Sequence, residues 1–493
     1  TLFRSRELIR NMKTVEDSDF EVPEKFRKIL REYQKTGYLW LETLCQNGFG
    51  GILADDMGLG KTLQVIVFLY AHYIERQETH KNTLIVCPAS LVYNWEREIH
   101  HFAPELTVYT VAGNVEERKS VLTHHQKGSI FITSYDLLRR DTELYQQLTF
   151  AYQIIDEAQF IKNATTKAAK AVKQISSDFR IALTGTPVEN HLGELWSIFD
   201  YLMPGYLYSY KRFHVTFEIP IVQIGNPDAL ERLQKLIAPF VLRRLKKDVL
   251  KDLPEKLEKN MFTPLTGEQE DLYRAHVQRL EVLLSKQSQE EFNQSKIEIL
   301  AELTKLRQLC CDPALLYENY QAGSAKLDLC LELIQNAISG GHKMLIFSQF
   351  TTMLDGIAER LKQENIPYYV LKGSTPKQER MQLVNTFNQD ETPVFLISLK
   401  AGGTGLNLTA ADIVIHYDPW WNTAVQNQAT DRAHRIGQKN KVLVYRLIAQ
   451  NTIEEKILRL QEKKAQLADQ ILGGETTKNP AFSREELLAL LQD

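Results

Sequence analysis

The sequence predicts an α/β protein in which two parallel-sheet lobes are separated by a helical insertion and hinge. Short β-rich runs alternate with helical segments from about residue 83 to residue 202, stop alternating near Pro204, and alternate again from about residue 344. Alternation of this kind is typical of βαβ units, which build a parallel sheet with helices on both faces. Functional loops are then expected at the carboxyl ends of the strands.

The same patterns divide the chain into five segments. We expect an N-terminal tail, a first lobe, a helical insertion with linker, a second lobe, and a C-terminal tail with a short helix; these cover 1–24, 25–204, 205–320, 321–470 and 471–493. The insertion shows almost no strand signal, and residues 272–309 within it have the pattern of long helices.

Length and composition limit the class of protein. A chain of 493 residues is too long to fold around one hydrophobic core, and its length suggests about three domains. No apolar run approaches the ~18 residues that a membrane span needs. Five cysteines without a C-x-x-C pair indicate a reducing compartment and argue against structural zinc. The net charge of −3 gives no chain-wide attraction to nucleic acid, although a local basic channel stays compatible with it. Because the chain begins with Thr rather than Met, we expect a fragment or a processed form.

The stretch DDMGLGKT, residues 55–62, predicts a phosphate-binding loop. An apolar run precedes it and another follows it, which is the order strand, glycine-bearing loop and helix. Such a loop turns backbone N–H groups towards a triphosphate, and the helix behind it points its positive end at the same charge. A surface turn with a chance GKT is the disfavoured alternative. The residues expected to hold the nucleotide are Asp55, Met57, Gly58, Leu59, Gly60, Lys61 and Thr62.

Within this loop each residue type has a separate task. Gly58 and Gly60 leave room for phosphate oxygens, and Lys61 can reach the β- and γ-phosphates. Thr62 offers a hydroxyl to Mg²⁺. Asp55 stands where the pattern G-x-x-x-x-G-K-[ST] has its first glycine, so the match is incomplete.

An apolar run ends in two carboxylates about 100 residues later. Asp156 is placed to hold Mg²⁺ through water, and Glu157 to orient or deprotonate an attacking water. An exposed acidic turn is the alternative, but a buried-type strand before the pair makes it weaker. Both carboxylates are expected at the same sheet edge as the phosphate loop.

Two further segments leave two interpretations open. The stretch LTGTP, residues 183–187, ends the next strand, where its hydroxyls could sense the γ-phosphate or simply form a turn. The basic cluster RRLKK, residues 243–247, fits a solvated helix face about as well as a phosphate contact.

The second lobe contributes QATDRAHRIGQ, residues 428–438. Arg432 and Arg435 are three residues apart and are therefore expected on one helical face. Two guanidinium groups there would suit a γ-phosphate whose charge spreads in the transition state, a contribution worth ~10³-fold or more in rate. His434 is expected to be structural, because no other ligand stands at metal spacing.

Taken in order and spacing, these motifs resemble the helicase-like ATPases of superfamily 2, and within them the SWI/SNF-type DNA translocases. The resemblance runs from about residue 26 to residue 458 and includes CPASLVxNW at 87–95, LRRxKKDV at 242–249 and SLKAGGxGLNL at 398–408. It implies two RecA-like lobes, ATP and Mg²⁺ as cofactors, and hydrolysis that drives a monomeric motor along double-stranded DNA. DEAQ, where many relatives have a DEGH box, resembles prokaryotic members, and a cytoplasmic, nucleoid-associated location is expected (nuclear in a eukaryote).

The resemblance also implies residue roles that the spacing alone does not give. Gln34 matches the family's adenine contact, and Trp421 matches a tryptophan placed against DNA. Contacts that position the DNA backbone without sequence preference are expected from Thr133, Lys372 and Lys400.

Two alternatives remain open beside the duplex translocase. A strand-separating helicase shares the motor motifs, because a separation wedge cannot be recognised in a sequence. A nucleotide-gated DNA clamp without useful turnover would predict a decayed site, whereas the catalytic side chains are all present here.

Overall fold

The computed structural model describes residues 20–77, 80–185, 192–250, 254–285, 289–402, 406–420, 423–435, 437–459 and 461. They belong to two compact units, one formed by the described residues up to 250 and the other by those from 254 onward. No helix in this part of the chain is both long and apolar enough to cross a membrane.

The first unit is built on one sheet. Its strands are β1 (Gly51–Leu53), β2 (Asn82–Cys87), β3 (Val108–Thr110), β4 (Ile130–Ser134), β5 (Phe150–Asp156), β6 (Ser177–Leu183) and β7 (Val241–Leu242). They lie in the order β3-β4-β2-β5-β6-β1-β7, and each described pairing is parallel. Every residue of β2, β4 and β5 is buried, as expected of parallel strands covered on both faces.

Helices alternate with these strands. They are α1 (Glu32–Gln46), α2 (Lys61–Tyr70), α3 (Val92–Phe102), α4 (Val115–Thr123), α5 (Tyr135–Arg140), α6 (Thr142–Gln146), α7 (Lys167–Gln174), α8 (Leu192–Leu202), α9 (Tyr210–Phe213), α10 (Pro227–Ile237) and α11 (Lys246–Val249). Short 3₁₀ or π segments occupy Glu24–Phe26, Ala71–Glu75, Ala158–Ile161, His214–Glu218, Pro220–Ile224 and Ala238–Phe240. β3 escapes prediction because three half-buried edge residues form no recognisable pattern.

The second unit repeats the architecture. Its strands are β8 (Lys256–Pro264), β9 (Met344–Ser348), β10 (Tyr368–Leu371), β11 (Val394–Ser398), β12 (Ile413–His416) and β13 (Val442–Gln450), in the order β10-β11-β9-β12-β13-β8. Its helices are α12 (Glu268–Ser285), α13 (Gln289–Cys311), α14 (Ala325–Ser339), α15 (Thr351–Gln363), α16 (Lys377–Gln389), α17 (Leu399–Gly402) and α18 (Thr423–Thr430), with a 3₁₀ turn at Pro313–Leu315. The predicted α/β class with two parallel sheets is confirmed.

The segment 205–320 needs a correction, because it contains strands. β7 pairs with β1 in the first sheet, and β8 pairs with β13 along nine residues of the second. β8 is an edge strand with largely exposed side chains, so it lacks the apolar run that identifies a buried strand. Residues 205–250 pack within the first unit and 254–320 within the second. The helix expected at the C-terminal end lies outside the described residues.

Candidate active site

Three neighbouring strands of the first unit bring the predicted site residues to one edge of the sheet. β1 pairs with β6, and β6 pairs with β5, so that Leu53, Leu183 and Asp156 lie in one row across the sheet. All three strands run parallel and their carboxyl ends meet at the same edge. The loops that begin there carry the DDMGLGKT motif, the LTG turn and the DEAQ motif, as the alternation pattern predicted.

The phosphate loop turns through two glycines with left-handed backbone conformations. Gly58 has φ 81° and Gly60, the residue before α2, has φ 75°. A Cβ on Gly60 would lie 2.4 Å from Gln34 Nε2, so a larger residue would collide with α1. Lys61 opens α2, and its ammonium donates to the Asp55 carbonyl at 2.6 Å.

The predicted adenine contact lies directly against this loop. Gln34 is buried, and its Nε2 donates to the Leu59 carbonyl at 3.1 Å, beside the Tyr33 hydroxyl at 3.0 Å on the same oxygen. Its Oε1 accepts from the backbone N–H of Arg31. The loop and the start of α1 are therefore held together by two side-chain hydrogen bonds to the Leu59 carbonyl, which fixes the distance between the two.

Asp156 is buried at the end of β5 with both carboxylate oxygens bonded. Oδ2 accepts from the indole N–H of Trp95 at 2.9 Å, and Oδ1 accepts from the backbone N–H of Glu157 at 2.9 Å. Burial and the neighbouring Glu157 carboxylate raise the pKa of Asp156 to about 6, whereas the Trp95 hydrogen bond and the Lys61 ammonium lower it.

Glu157 has a backbone conformation that its residue type rarely adopts. Its φ of 53° is left-handed, at a cost of roughly 1–2 kcal/mol for a residue with a Cβ. Gln159 Nε2 donates to Glu157 Oε2 at 2.7 Å, and Gln159 Oε1 accepts from the Thr184 hydroxyl at 3.1 Å. Thr184 thus has a specific partner beside Glu157, and both interpretations of the LTGTP stretch stay open. Thr186 and Pro187 lie outside the described residues.

The Asp55 side chain is held by protein groups. It is fully buried, and its carboxylate forms an ion pair with Arg244 and accepts from Gln64 Nε2. Arg244 is part of the RRLKK cluster. Because it is paired with Asp55, it lies neither on a solvated helix face nor in a free phosphate-binding position. The carboxylate of Asp55 therefore contacts protein groups, and the place of Asp55 among the nucleotide-binding residues stays a prediction.

The second unit places its arginine motif differently from the expectation. α18 ends at Thr430, and Arg432 and Arg435 lie in the turns that follow, so they do not share a helical face. Arg432 is buried, whereas Arg435 is half-buried and donates to the Leu406 carbonyl at 3.3 Å. Gln438 Nε2 donates to the carbonyls of Ala411 and Ala433, which holds these turns in place. His434 Nε2 faces the Pro254 carbonyl at 2.9 Å, in keeping with a structural histidine.

One predicted DNA contact must be corrected, and two lie outside the part of the chain that the structure describes. Thr133 is fully buried in β4, where its hydroxyl donates to the Val111 carbonyl, so this side chain does not face solvent. Lys372 is half-buried and forms an ion pair of 2.5 Å with Asp355. Trp421 and the Lys400 side chain lie outside the part that the structure describes; the adjacent Trp420 is half-buried.

Three contributors to the site carry no sequence signal for their roles. Trp95 holds the Asp156 carboxylate, and the Tyr135 hydroxyl donates to the Asp156 carbonyl at 2.8 Å. Arg244 holds Asp55. Trp95 belongs to the CPASLVxNW motif and Arg244 to the basic cluster, but only the folded sheet assigns their partners.

Comparison with known proteins agrees with this architecture. The SNF2-related domain matches residues 33–315, and the helicase conserved C-terminal domain matches residues 325–437. A Bacillus subtilis protein provisionally named as an ATP-dependent helicase/translocase is 43% identical over 98% of this chain and 54% of its own length. A Mycoplasma pneumoniae protein named as an uncharacterized ATP-dependent helicase is 40% identical over 98% of this chain and 46% of its own length.

A solved structure is similar as well. The SWI2/SNF2 ATPase core of Sulfolobus solfataricus, in complex with dsDNA, is 38% identical, covers 92% of this chain and 96% of its own, and gives a TM-score of 0.47. The chain spans about half the length of the two bacterial relatives. Because the SNF2-related domain alone covers more than half of the sequence, the chain belongs to the SNF2-related family.

Proposed function

We propose that this chain is a DNA-stimulated ATPase that moves along double-stranded DNA. The observation that carries the proposal is the edge of the first sheet, where Lys61, Asp156 and Glu157 follow the ends of two strands separated only by β6. A lysine for phosphates, a carboxylate for a metal and a second carboxylate for water are the parts that phosphoryl transfer to water needs.

The oxygen ligands at this edge suit Mg²⁺. The buried carboxylate of Asp156 and a hydroxyl at Thr62, in the first turn of α2, are the hard oxygen donors that Mg²⁺ prefers. When bound with ATP, Mg²⁺ would neutralise charge on the phosphates. Trp95 and the backbone N–H of Glu157 fix the orientation of the Asp156 carboxylate towards this task.

Glu157 is assigned the role of general base or water-orienting group. Its left-handed backbone turns the residue away from the line of β5, and Gln159 holds one carboxylate oxygen. Strained backbone at such a position is a recurring property of active sites. Lys61 is assigned to the β- and γ-phosphates, and Gln34 to the adenine.

Arg432 and Arg435 are assigned to the transition state. We infer that they supply positive charge to the γ-phosphate when the second unit engages the nucleotide. The support is the family membership of the chain and the match of residues 325–437 to the helicase C-terminal domain, which ends just beyond both arginines.

Duplex DNA is the proposed track, bound through its phosphates. The family and the helicase/translocase name of the Bacillus subtilis relative favour a nucleic-acid motor. Lys372, Lys400 and Trp421 stay proposed contacts. Binding dominated by phosphates predicts a steep loss of affinity with salt and little sequence preference.

A strand-separating helicase is the second candidate, because both bacterial relatives carry a helicase name. Two assays run side by side separate the candidates: displacement of a triplex-forming strand and separation of a simple duplex, each beside ATP turnover. The proposal expects ATP-dependent triplex displacement with negligible duplex separation. Duplex separation that matches ATP turnover would favour the helicase. A DNA complex that forms with ATP but never turns it over would favour a nucleotide-gated clamp.

A further inference from the structure

The ion pair between Asp55 and Arg244 occupies the place where the phosphate-loop pattern departs from its usual form. Arg244 Nε donates to Asp55 Oδ1 at 2.8 Å, and Nη2 donates to Oδ2 of the same carboxylate. Asp55 is fully buried, and the Arg244 side chain is 11% exposed. A bidentate pair of this kind fixes both distance and plane, which a single hydrogen bond does not.

The guanidinium also joins two helices of the first unit. Nη2 donates to Gln64 Oε1 on α2 at 2.7 Å, and Nη1 donates to the Tyr33 carbonyl on α1. The guanidinium lies over the Tyr33 ring, 5.2 Å from its centroid. A Cβ on Gly37 would lie 1.8 Å from Gln64 Oε1 and 2.7 Å from Arg244 Nη2, so only glycine at this position of α1 leaves room for the cluster.

Backbone hydrogen bonds run beside the ion pair. We call residues 241–250, the last described stretch of the first unit, the exit segment. Ala54 N–H donates to the Leu242 carbonyl at 2.7 Å, and Asp56 N–H donates to the Arg244 carbonyl at 3.0 Å. Asp56 Oδ2 in turn accepts from the backbone N–H of Lys246 at 2.9 Å. The beginning of the phosphate loop is therefore paired with the exit segment residue by residue.

The catalytic lysine is attached to the same two loop residues. Lys61 Nζ donates to the Asp55 carbonyl at 2.6 Å and lies 3.4 Å from the Asp56 carbonyl. The carbonyls of Asp55 and Asp56 thus hold the phosphate-binding ammonium, while their side chains hold the exit segment. A displacement of Asp55 or Asp56 would therefore move both the Lys61 ammonium and the exit segment.

We propose that the Asp55–Arg244 pair couples the nucleotide site to the exit segment, and that Arg244 is a positioning residue for the phosphate loop. This inference rests on the proposed function, since the coupling has a consequence only where the loop binds ATP. Stability alone is a weak explanation for the pair, because well-packed apolar residues replace many buried ion pairs at no cost. Arginine suits the position because one planar group reaches Asp55, Gln64 and Tyr33 together.

The experiment compares two arginine-to-lysine variants of the same chain. Arg244→Lys keeps the charge but cannot reproduce the fork, and Arg118→Lys is the matched control. Arg118 is also largely buried, with 4% of its side chain exposed, and it forms a bidentate pair with Asp141, at 2.6 and 3.0 Å. Both residues of this control pair lie outside the phosphate loop. For each protein, thermal unfolding, the affinity for a fluorescent ADP analogue, KM for ATP, and kcat with and without duplex DNA are measured.

The coupling account expects a specific pattern. Arg244→Lys should fold, bind the ADP analogue roughly tenfold more weakly, raise KM for ATP by a similar factor and lose most of the DNA stimulation of kcat. Arg118→Lys should match the parent within about twofold in the last three quantities. Equal effects in both variants, or a folded Arg244→Lys that binds and responds like the parent, would overturn the inference.

A second variant keeps the inference testable if Arg244→Lys does not fold. Asp55→Asn removes the negative charge of the pair while keeping the shape of the side chain, and it should give the same roughly tenfold loss of affinity for the ADP analogue. Parent-like affinity in Arg118→Lys would show that this loss does not come from general destabilisation. Parent-like affinity in Asp55→Asn would contradict the inference. A parent chain that binds the analogue but shows no DNA-stimulated turnover would contradict the proposed function alone, since the affinity comparison still tests the positioning role. A parent that binds no nucleotide would contradict both.

Discussion

The carboxylate of Glu157 accepts a hydrogen bond of 2.7 Å from the side-chain amide of Gln159. The oxygen of that amide accepts from the Thr184 hydroxyl at 3.1 Å. Glu157 follows β5 and Thr184 follows β6, so Gln159 ties together the ends of two adjacent strands at the proposed catalytic edge. Removal of this tie should leave the carboxylate in place but free to rotate.

Gln159→Ala should therefore lower kcat by about tenfold while KM for ATP changes by less than about twofold. Gln146→Ala, on the exposed surface of α6, is the control and should behave like the parent. Gln159→His should recover much of the rate, because a histidine can also donate to Glu157 and accept from Thr184. Steady-state ATPase kinetics check all three, and a parent-like kcat in Gln159→Ala would remove the positioning role.

Glu157→Gln should abolish turnover without loss of nucleotide binding. The amide keeps the shape and can still accept from Gln159, but it cannot take a proton, so a fall in kcat of at least about 10²-fold is expected. Affinity for an ADP analogue should stay within about twofold of the parent. Glu143→Gln, at an exposed position of α6, controls for the charge change. Hydrolysis at the parent rate would take Glu157 out of the base role.

Arg435→Ala should lose turnover with little change in ATP affinity. An arginine that meets only the transition state contributes to kcat, and the expected loss is ~10³-fold. Arg459→Ala removes an exposed arginine of the same unit and should leave kcat unchanged. Normal hydrolysis in Arg435→Ala would mean that this arginine does not complete the site.

His416 should make the second unit sensitive to acid. Burial and the Arg446 cation lower the pKa of His416 to about 3, and Glu258 and Lys256 are the other charges facing it. The unfolded chain has a pKa near 6.5, so the neutral ring contributes stability above pH 6.5 that is lost as pH falls towards 3. From pH 7.5 to 5.0 the loss should be about 2 kcal/mol.

Urea unfolding of the parent and of His416→Asn at the two pH values measures this loss in the free energy of unfolding. Asparagine can still bond the Thr430 hydroxyl that His416 Nε2 meets at 2.8 Å, but it does not titrate. The variant should therefore lose less stability on acidification than the parent. Equal losses in the two proteins would contradict the assignment to His416.

The sequence located Lys61, Asp156 and Glu157 because each follows an apolar run, and parallel strands bring their carboxyl ends to one edge. It could not locate the partners of these residues. Trp95 and Asp156 are 61 residues apart, and Asp55 and Arg244 are 189 residues apart. No spacing rule connects such pairs, since the order of strands in the sheet decides which loops meet.

Two expectations failed for local reasons. A sequence spacing of three suggested one helical face for Arg432 and Arg435, but α18 ends at Thr430, before both, and the residues that follow form turns. Thr133 was expected at a surface, but β4 is covered on both faces, so neither side of that strand reaches solvent.

ATP turnover with and without duplex DNA tests the central claim most directly. The account predicts a basal rate that rises when duplex DNA is added, falls again as salt weakens the phosphate contacts, and vanishes in Glu157→Gln under both conditions. A rate that is the same with and without DNA would contradict the claim that this chain is a DNA-driven motor.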